Sequence, residues 1–210
     1  WEPIFDEEAS ISIGAIKINQ SNPDVIWVGT GEGNPRNSQN SGKGIYKSID
    51  GGKSWKCMGL EDSRNIHRII IHRDNPDLVL VGAQGPAWGP TEHRGVFKST
   101  NGGETWEKVL YLNERTGIAD MVADPNNPDK ILAAMWEFSR EPWFFTSGGK
   151  GSGLYLSYDA GNTWKQISHE EGLPKGELGR IGLAFAPSKK DLIYALVEAK
   201  ENGLYKSTDG

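Results

Sequence analysis

The sequence lacks the features that mark several classes of protein. Its 210 residues contain one cysteine, Cys57, so no disulfide can form within the chain, and the cysteine count does not reveal the compartment. No apolar run approaches the roughly 18 residues of a membrane-spanning helix, so no membrane span is predicted. The formal net charge of -5 argues against nucleic acid or an anionic membrane as the main partner.

Metal-ligand and helical patterns are scarce as well. The four histidines show no paired spacing, so neither a metal site nor a cofactor is predicted. The glycine-rich run Gly29–Gly33 leads into Asn34 and Pro35 rather than a helix, which excludes a dinucleotide-binding loop. No segment has a convincing 3.6-residue apolar period, which excludes a helical solenoid. The 27 glycines and eight tryptophans instead favour tight turns and aromatic anchors in an all-β protein.

What the chain does contain is an internal repeat. The segment Gly44–Trp55 returns as Gly95–Trp106 and again as Gly153–Trp164, and a shorter copy is Gly203–Gly210. A second marker, Asn-Pro-Asp, precedes the first three copies at positions 22–24, 75–77 and 127–129, and residues 187–191 take its place before the fourth. An aliphatic run follows each marker, so each unit is predicted to hold a hairpin and four short strands, A to D.

Tandem four-stranded units of about 50 residues predict a β-propeller built of antiparallel blades. We expect residues 1–13 to be the last strand of a preceding blade with a linker. Three blades are expected at residues 14–60, 67–112 and 117–168, and an incomplete one at 179–210. Either Gly203–Gly210 and Trp1–Phe5 form strands C and D of one blade and close a four-bladed ring, or the blades are an arc of a larger propeller. We expect the arc, with the rest of the same propeller or polypeptide as its neighbour.

The turn between strands C and D resembles the Asp-box, or BNR repeat, because it follows the pattern Ser-x-Asp-x-Gly-x-Thr-Trp. The matching residues are Ser48, Asp50, Gly52 and Trp55; Ser99, Asn101, Gly103 and Trp106; Ser157, Asp159, Gly161 and Trp164; and Ser207 and Asp209. The second copy departs from the pattern at Asn101. We interpret these residues as structural: the Asp or Asn side chain accepts backbone hydrogen bonds, glycine supplies positive φ, and the tryptophan packs over the turn.

Two further phrases, Val28–Glu32 and Gly82–Gly89, resemble a group of large bacterial proteins with sortilin-like BNR propellers, often labelled glycosyl hydrolases. The resemblance implies a protein that is secreted, periplasmic or displayed at the cell surface.

The predicted topology locates the binding face, although no sequence motif marks it. The Asn-Pro-Asp turns and the Asp-boxes share one end of the blades, so the long, irregular B–C loops share the other. These loops are expected at 30–43, 83–94, 135–152 and 198–202. Loop aromatics beside arginines suit sugar rings or protein hot spots, and the predicted ligand-binding residues are Trp88, Arg94, Trp136, Arg140 and Trp143. The alternative is that these aromatics fold back as plugs under the loops.

Three functions follow from this face. The first is a non-catalytic binding or assembly module that meets a polysaccharide or a protein partner. The second is a glycoside hydrolase, for which paired carboxylates are required; Glu32 and Glu137 are the candidates, and nothing in the sequence pairs them. Xyloglucan-cleaving enzymes with BNR propellers are similar, but no catalytic position of theirs can be matched here. The third function is a scaffold subunit of a larger complex.

Overall fold

The structure, a computed structural model, describes residues 1–210, and its regular secondary structure is almost entirely β-strand. The first sheet contains β1 (Ile13–Ile18), β2 (Ile26–Thr30), β3 (Ile45–Ser48) and β4 (Lys56–Cys57). The second contains β5 (Ile66–Ile71), β6 (Val79–Ala83), β7 (Gly95–Ser99) and β8 (Glu107–Leu110). The third contains β9 (Thr116–Asp124), β10 (Asn127–Glu141), β11 (Phe144–Ser147), β12 (Gly153–Ser157) and β13 (Lys165–Ile167). The fourth contains β14 (Ile181–Phe185), β15 (Ile193–Val197) and β16 (Gly203–Ser207).

The first, second and fourth sheets are antiparallel meanders in which sequential strands lie side by side, whereas in the antiparallel third sheet β10 pairs with β9, β11 and β12. The predicted hairpins and C–D turns therefore exist, and the all-β prediction is confirmed. The only helical segments are two 3₁₀ turns, Glu61–Ser63 and His169–Glu171, and neither is long or apolar enough to cross a membrane.

One expectation about the strands is wrong, and one alternative is excluded. The region 135–152 was expected to be a loop, but β10 continues through it to Glu141 and pairs with β11. Its run of large side chains, including Trp136 and Phe138, is buried and so favours a strand over a loop. The four-bladed closure also fails, because β16 pairs only with β15 and residues 1–12 form no strand.

The core lies between consecutive sheets. Trp27 and Ile45 of the first sheet pack with Val79 and Phe97 of the second. The same arrangement joins the second sheet to the third and the third to the fourth, and each interface is a separate hydrophobic cluster. No hydrophobic cluster joins the fourth sheet to the first.

The repeated C–D turns share one hydrogen-bond pattern. In the first, the Gly52 N–H donates to Ser48 Oγ at 2.8 Å, and Ser54 donates to the Asp50 carboxylate through its N–H at 2.9 Å and its Oγ–H at 2.6 Å. These bonds from Ser54 lower the pKa of Asp50 to about 2. The glycine at the fifth position, Gly52, has φ of +89°, a conformation that glycine adopts without strain.

The same bonds recur in the third turn, where Thr163 donates to Asp159 through its N–H and its hydroxyl. In the second turn Asn101 accepts from the Thr105 N–H at 3.0 Å, so the amide keeps the turn but carries no charge. The tryptophan of the second turn also bonds to the first blade: Trp106 Nε1 donates to the carbonyl oxygen of Met58 at 2.7 Å.

Candidate functional site

The loop face is organised by Arg140, which lies near the end of β10. Its Nε donates to the carbonyl oxygen of Pro35 at 2.7 Å and its Nη1 to Asn37 Oδ1 at 2.8 Å. The guanidinium also lies 4.5 Å from the centre of the Phe145 ring. Arg140 therefore fixes the long loop of the first sheet against the β10–β11 hairpin of the third.

A cavity of about 350 Å³ opens where these two segments meet. Its lining consists of Asn34, Pro35, Arg36, Trp136, Arg140, Phe145, Ser147, Arg180 and Glu198. Trp136 forms the floor: it is 2% exposed, stacks on Phe138 at 4.4 Å, and donates from Nε1 to Ser147 Oγ at 3.1 Å. Three guanidinium groups and one carboxylate therefore surround an aromatic floor.

Arg180, directly before β14, is the distinctive residue of this cavity. Its guanidinium carbon lies 5.2 Å from the centre of the Trp136 ring, and its Nη2 is 3.4 Å from His67 Nε2. No carboxylate oxygen lies within 4 Å of its guanidinium nitrogens, unlike Arg68, which pairs with Asp120 at 2.6 Å. Arg180 is a positioned cation without an ion-pair partner.

The histidine beside Arg180 is neutral. Burial first, and then the positive charges of Arg68 and Arg180, lower the pKa of His67 to about 4. A neutral imidazole can accept a hydrogen bond at Nε2, which is the atom that faces Arg180. Burial and the charge of Arg68 also lower the pKa of Arg180, since both disfavour an additional buried cation.

Three carboxylates of the loop face accept hydrogen bonds that hold segments of this face in place. Glu198 Oε2 accepts from Ser147 Oγ at 2.6 Å and from the Arg180 N–H at 2.8 Å. Glu137 accepts from the Gly151 N–H at 2.8 Å. Glu32 accepts from the Asn40 N–H at 3.3 Å and lies 3.4 Å from Arg36 Nε. Glu32 and Glu137 each hold a loop of their own blade, Glu198 joins β11 to the residue before β14, and none of these bonds joins Glu32 to Glu137.

One predicted ligand residue, Arg94, is placed where a ligand cannot reach it. It is 0% exposed, and its guanidinium donates to the carbonyl oxygens of Gln84, Pro86, Gly89 and Arg115. Burial lowers its pKa to about 10, with a smaller effect from Arg115. The expectation of ligand contact is therefore wrong for Arg94, because the loop carbonyls already use its donors.

The predicted loop tryptophans divide into two groups. Trp136 is buried, as the plug alternative expected, although it lines the cavity. Trp143 is 87% exposed at the tip of the β10–β11 hairpin, and Trp88 is 40% exposed. The structure thus places a buried aromatic floor and exposed aromatic side chains on the same set of loops.

Sequence reasoning did not select Arg180 or Glu198 as ligand residues. The predicted topology offered a usable signal, because a strand A begins and a strand B ends at this face. The pairing of Ile181, the first residue of β14, with Val197, the last residue of β15, follows that topology. Residues that flank this pair, such as Arg180 and Glu198, had to lie beside the long loops.

Comparison with known proteins places the chain near two kinds of protein. No family model matches it. The photosystem II assembly lipoprotein Ycf48 of Trichormus variabilis is 28% identical over 143 residues, covering 58% of this chain and 41% of that protein. The Ycf48 of a Picosynechococcus species is 27% identical over 157 residues, covering 62% and 45%. A xyloglucanase of a Paenibacillus species is 23% identical over 242 aligned residues, covering 100% of this chain and 21% of the enzyme.

Solved structures agree on the architecture. The GH74 xyloglucanase from Xanthomonas campestris superposes with a TM-score of 0.67 at 16% identity, covering 93% of this chain and 28% of the enzyme. An ancestral GH74 enzyme gives a TM-score of 0.65 at 19% identity, covering 100% and 24%. The chain spans less than half the length of the curated relatives it matches. At these identities the structures establish the fold alone: the chain forms consecutive blades of a β-propeller.

Proposed function

We propose that the chain is a binding segment of a β-propeller whose loop face recognises a ligand that presents a carboxylate beside a flat or apolar surface. The observation that carries the proposal is Arg180, held by Trp136 and His67 in an open cavity without a carboxylate partner. A guanidinium offers paired donors that match a carboxylate, and such charge-assisted bonds are among the stronger polar contacts.

The surroundings of Arg180 suit such a ligand. Arg140 and Arg36 add positive charge to the same cavity, while Trp88 and Trp143 supply exposed aromatic surface on the loops around it. A uronic acid in a polysaccharide and an acidic residue of a protein share this chemistry. The carboxylates of the face are engaged in holding loops, which supports binding rather than acid–base catalysis.

The test is a titration of the chain with polygalacturonate, neutral xyloglucan and an acidic peptide, followed by calorimetry. We expect Arg180→Gln to weaken binding of the acidic ligand by at least tenfold, which corresponds to the roughly 1.5–3 kcal/mol of a hydrogen bond to a charged group. Arg73→Gln is the matched control, because Arg73 is exposed at the opposite end of the blades and pairs with Asp74.

The two acidic ligands distinguish a polysaccharide from a protein partner. Equal binding of xyloglucan and polygalacturonate, unchanged by Arg180→Gln, would refute the role of the arginine. A salt titration adds a second check, since a carboxylate contact weakens as ionic strength rises.

A glycoside hydrolase is the second candidate, favoured by the xyloglucanase relative, whose alignment covers this whole chain. Hydrolysis of xyloglucan that is abolished by Glu32→Gln or Glu137→Gln would establish it and end the non-catalytic proposal. The Ycf48 relatives are assembly lipoproteins, which favours instead a scaffold role and a place outside the cytoplasm. Stoichiometric copurification with other chains would support the scaffold.

We also propose that the C–D turns are Asp-boxes of the sortilin-like BNR type and that the blades occupy residues 14–60, 67–112, 117–168 and 179–210. The shared hydrogen bonds of Ser48, Ser99 and Ser157 to the fifth residue of each turn support the first point. The separate antiparallel sheets support the second.

A further inference from the structure

One edge of the β10–β11 hairpin carries backbone groups that the fold does not use. β11 is the terminal strand of the third sheet, and β10 is its only strand neighbour. In an antiparallel pair, residues whose backbone groups bond across the pair alternate with residues whose backbone groups point away from it. The N–H groups of Phe138 and Arg140 point away from β11, since they donate to the carbonyl oxygens of Arg115 and Ala87 at 3.2 and 3.0 Å.

The register of the hairpin then gives the direction of the backbone groups of β11. Arg140 lies opposite Phe145, and Phe138 lies opposite Ser147. Because Arg140 and Phe138 turn their backbone groups away from β11, Phe145 and Ser147 turn theirs away from β10. No hydrogen bond joins these outward N–H and C=O groups to a loop, a turn or a side chain. β11 therefore presents a free strand edge at Phe145 and Ser147.

The same edge is already paired two residues further along the chain. There the Gly149 N–H donates to the carbonyl oxygen of Leu178 at 3.3 Å, and the two residues form an antiparallel bridge. The chain leaves this edge at Arg180, whose carbonyl oxygen accepts from the Glu198 N–H at 3.0 Å beside β14 and β15. Glu198 Oε2 accepts from both Ser147 Oγ and the Arg180 N–H, which keeps Arg180 close to the start of the free edge.

The free edge borders the cavity that contains Arg180. Phe145 and Ser147 both line this cavity, as Arg180 and Arg140 do. An unpaired strand edge binds an extended polypeptide, because an added strand supplies N–H and C=O groups at the spacing that the edge requires. A polysaccharide has no such alternation of backbone N–H and C=O groups. The edge beside Arg180 therefore favours a polypeptide as the ligand.

We propose that the partner of the loop face is a protein that lays an extended acidic segment along β11 as an added strand. Phe145 and Ser147 bond to the backbone of this segment, and Arg180 binds one of its acidic side chains. The charge of the cavity suits such a segment, because three arginines line the cavity beside a single glutamate. The inference rests on the proposed function and selects a protein, rather than a polysaccharide, as the source of the carboxylate.

A matched pair of variants isolates one backbone bond at this edge. Ser147→Pro removes the outward N–H, and proline is accepted on an edge strand where the N–H faces solvent. Ser147→Ala is the control, because it loses the same hydroxyl, which bonds to Trp136 and Glu198, but keeps the N–H. The probe is a fluorescently labelled peptide of alternating Glu and Val with capped ends, and its binding is measured by anisotropy. We expect Ser147→Pro to bind it roughly three- to tenfold more weakly than Ser147→Ala does.

N-methylated peptides test the same contact on the unchanged chain. Successive residues of an extended strand direct their N–H groups to opposite edges, so methylation of the Glu nitrogens blocks one edge of the peptide and methylation of the Val nitrogens blocks the other. We expect one methylated peptide to bind roughly tenfold or more weakly and the other to bind as the parent peptide does. Equal binding of the two methylated peptides, or no binding of the parent peptide, would overturn the proposal.

Arg180→Gln separates failure of the added strand from failure of the proposed function. If this variant weakens binding of the peptide and of polygalacturonate alike, while both methylated peptides bind as the parent does, the arginine keeps its ligand role and the added strand is refuted. If the variant binds both ligands as the unchanged chain does, the proposed function fails and the added strand with it. Binding of the peptide that is tighter than binding of polygalacturonate, and that Ser147→Pro weakens selectively, supports the added strand.

Discussion

A close contact between the first two blades gives an exact prediction about stability. Gly103 combines φ of +94° with close approach, since an added Cβ would lie 2.4 Å from Trp27 Cη2. Gly172 has φ of +104°, and nothing lies within 4 Å of the position of its Cβ. The pair Gly103→Ala and Gly172→Ala therefore separates steric overlap from backbone strain.

The expected losses differ by the cost of moving Trp27. Left-handed backbone costs a residue with a Cβ roughly 1–2 kcal/mol, which is the whole expected effect of Gly172→Ala. Overpacking a filled core adds about 1–3 kcal/mol, so Gly103→Ala is expected to lose roughly 2–5 kcal/mol. Trp27 cannot give way cheaply, because its ring is fully buried in the cluster between the first two sheets.

Urea unfolding monitored by tryptophan fluorescence measures both variants. A lower midpoint with an unchanged slope reports a true loss of stability. Equal losses in the two variants would refute the reasoning, because the contact with Trp27 would then contribute nothing beyond backbone strain.

Two pH predictions follow from the ionisable groups. Asp50 and Asp159 have pKa values of about 2, below the ordinary 3.8; in Asp159 burial opposes the shift, but the bonds from Thr163 outweigh it. Because the folded pKa is lowered, their contribution is complete above about pH 4 and is lost as pH falls toward 2. Replacing both residues with Asn, the residue that the second turn already has at Asn101, is expected to remove this pH dependence of the melting temperature. If the melting temperature of the double variant falls with pH as in the original chain, the role of the carboxylates is contradicted. His67, with a pKa lowered from 6.5 to about 4, destabilises the fold as pH falls between those values, so His67→Gln is expected to remove that slope in thermal melts recorded from pH 7 to 4. A slope that persists in the variant would show that another group titrates.

The sequence by itself determined the strand-and-turn repeat, because the interactions that build it are local. In the first turn, Ser48 donates to Asp50 and accepts from the Gly52 N–H, and Asp50 accepts from the Ser54 N–H, so every bond spans at most four positions. Fold class and turn chemistry were therefore predictable from the residues alone.

Only the tertiary structure decided which loop residues are available to a ligand. Arg94 and Arg180 are both loop-face arginines, yet one is enclosed by four carbonyl oxygens and the other faces a cavity. Arg180 meets His67 across 113 positions, and Arg140 meets Pro35 across 105. No spacing rule reaches contacts of that range, because they depend on how whole blades pack and where each long loop comes to rest.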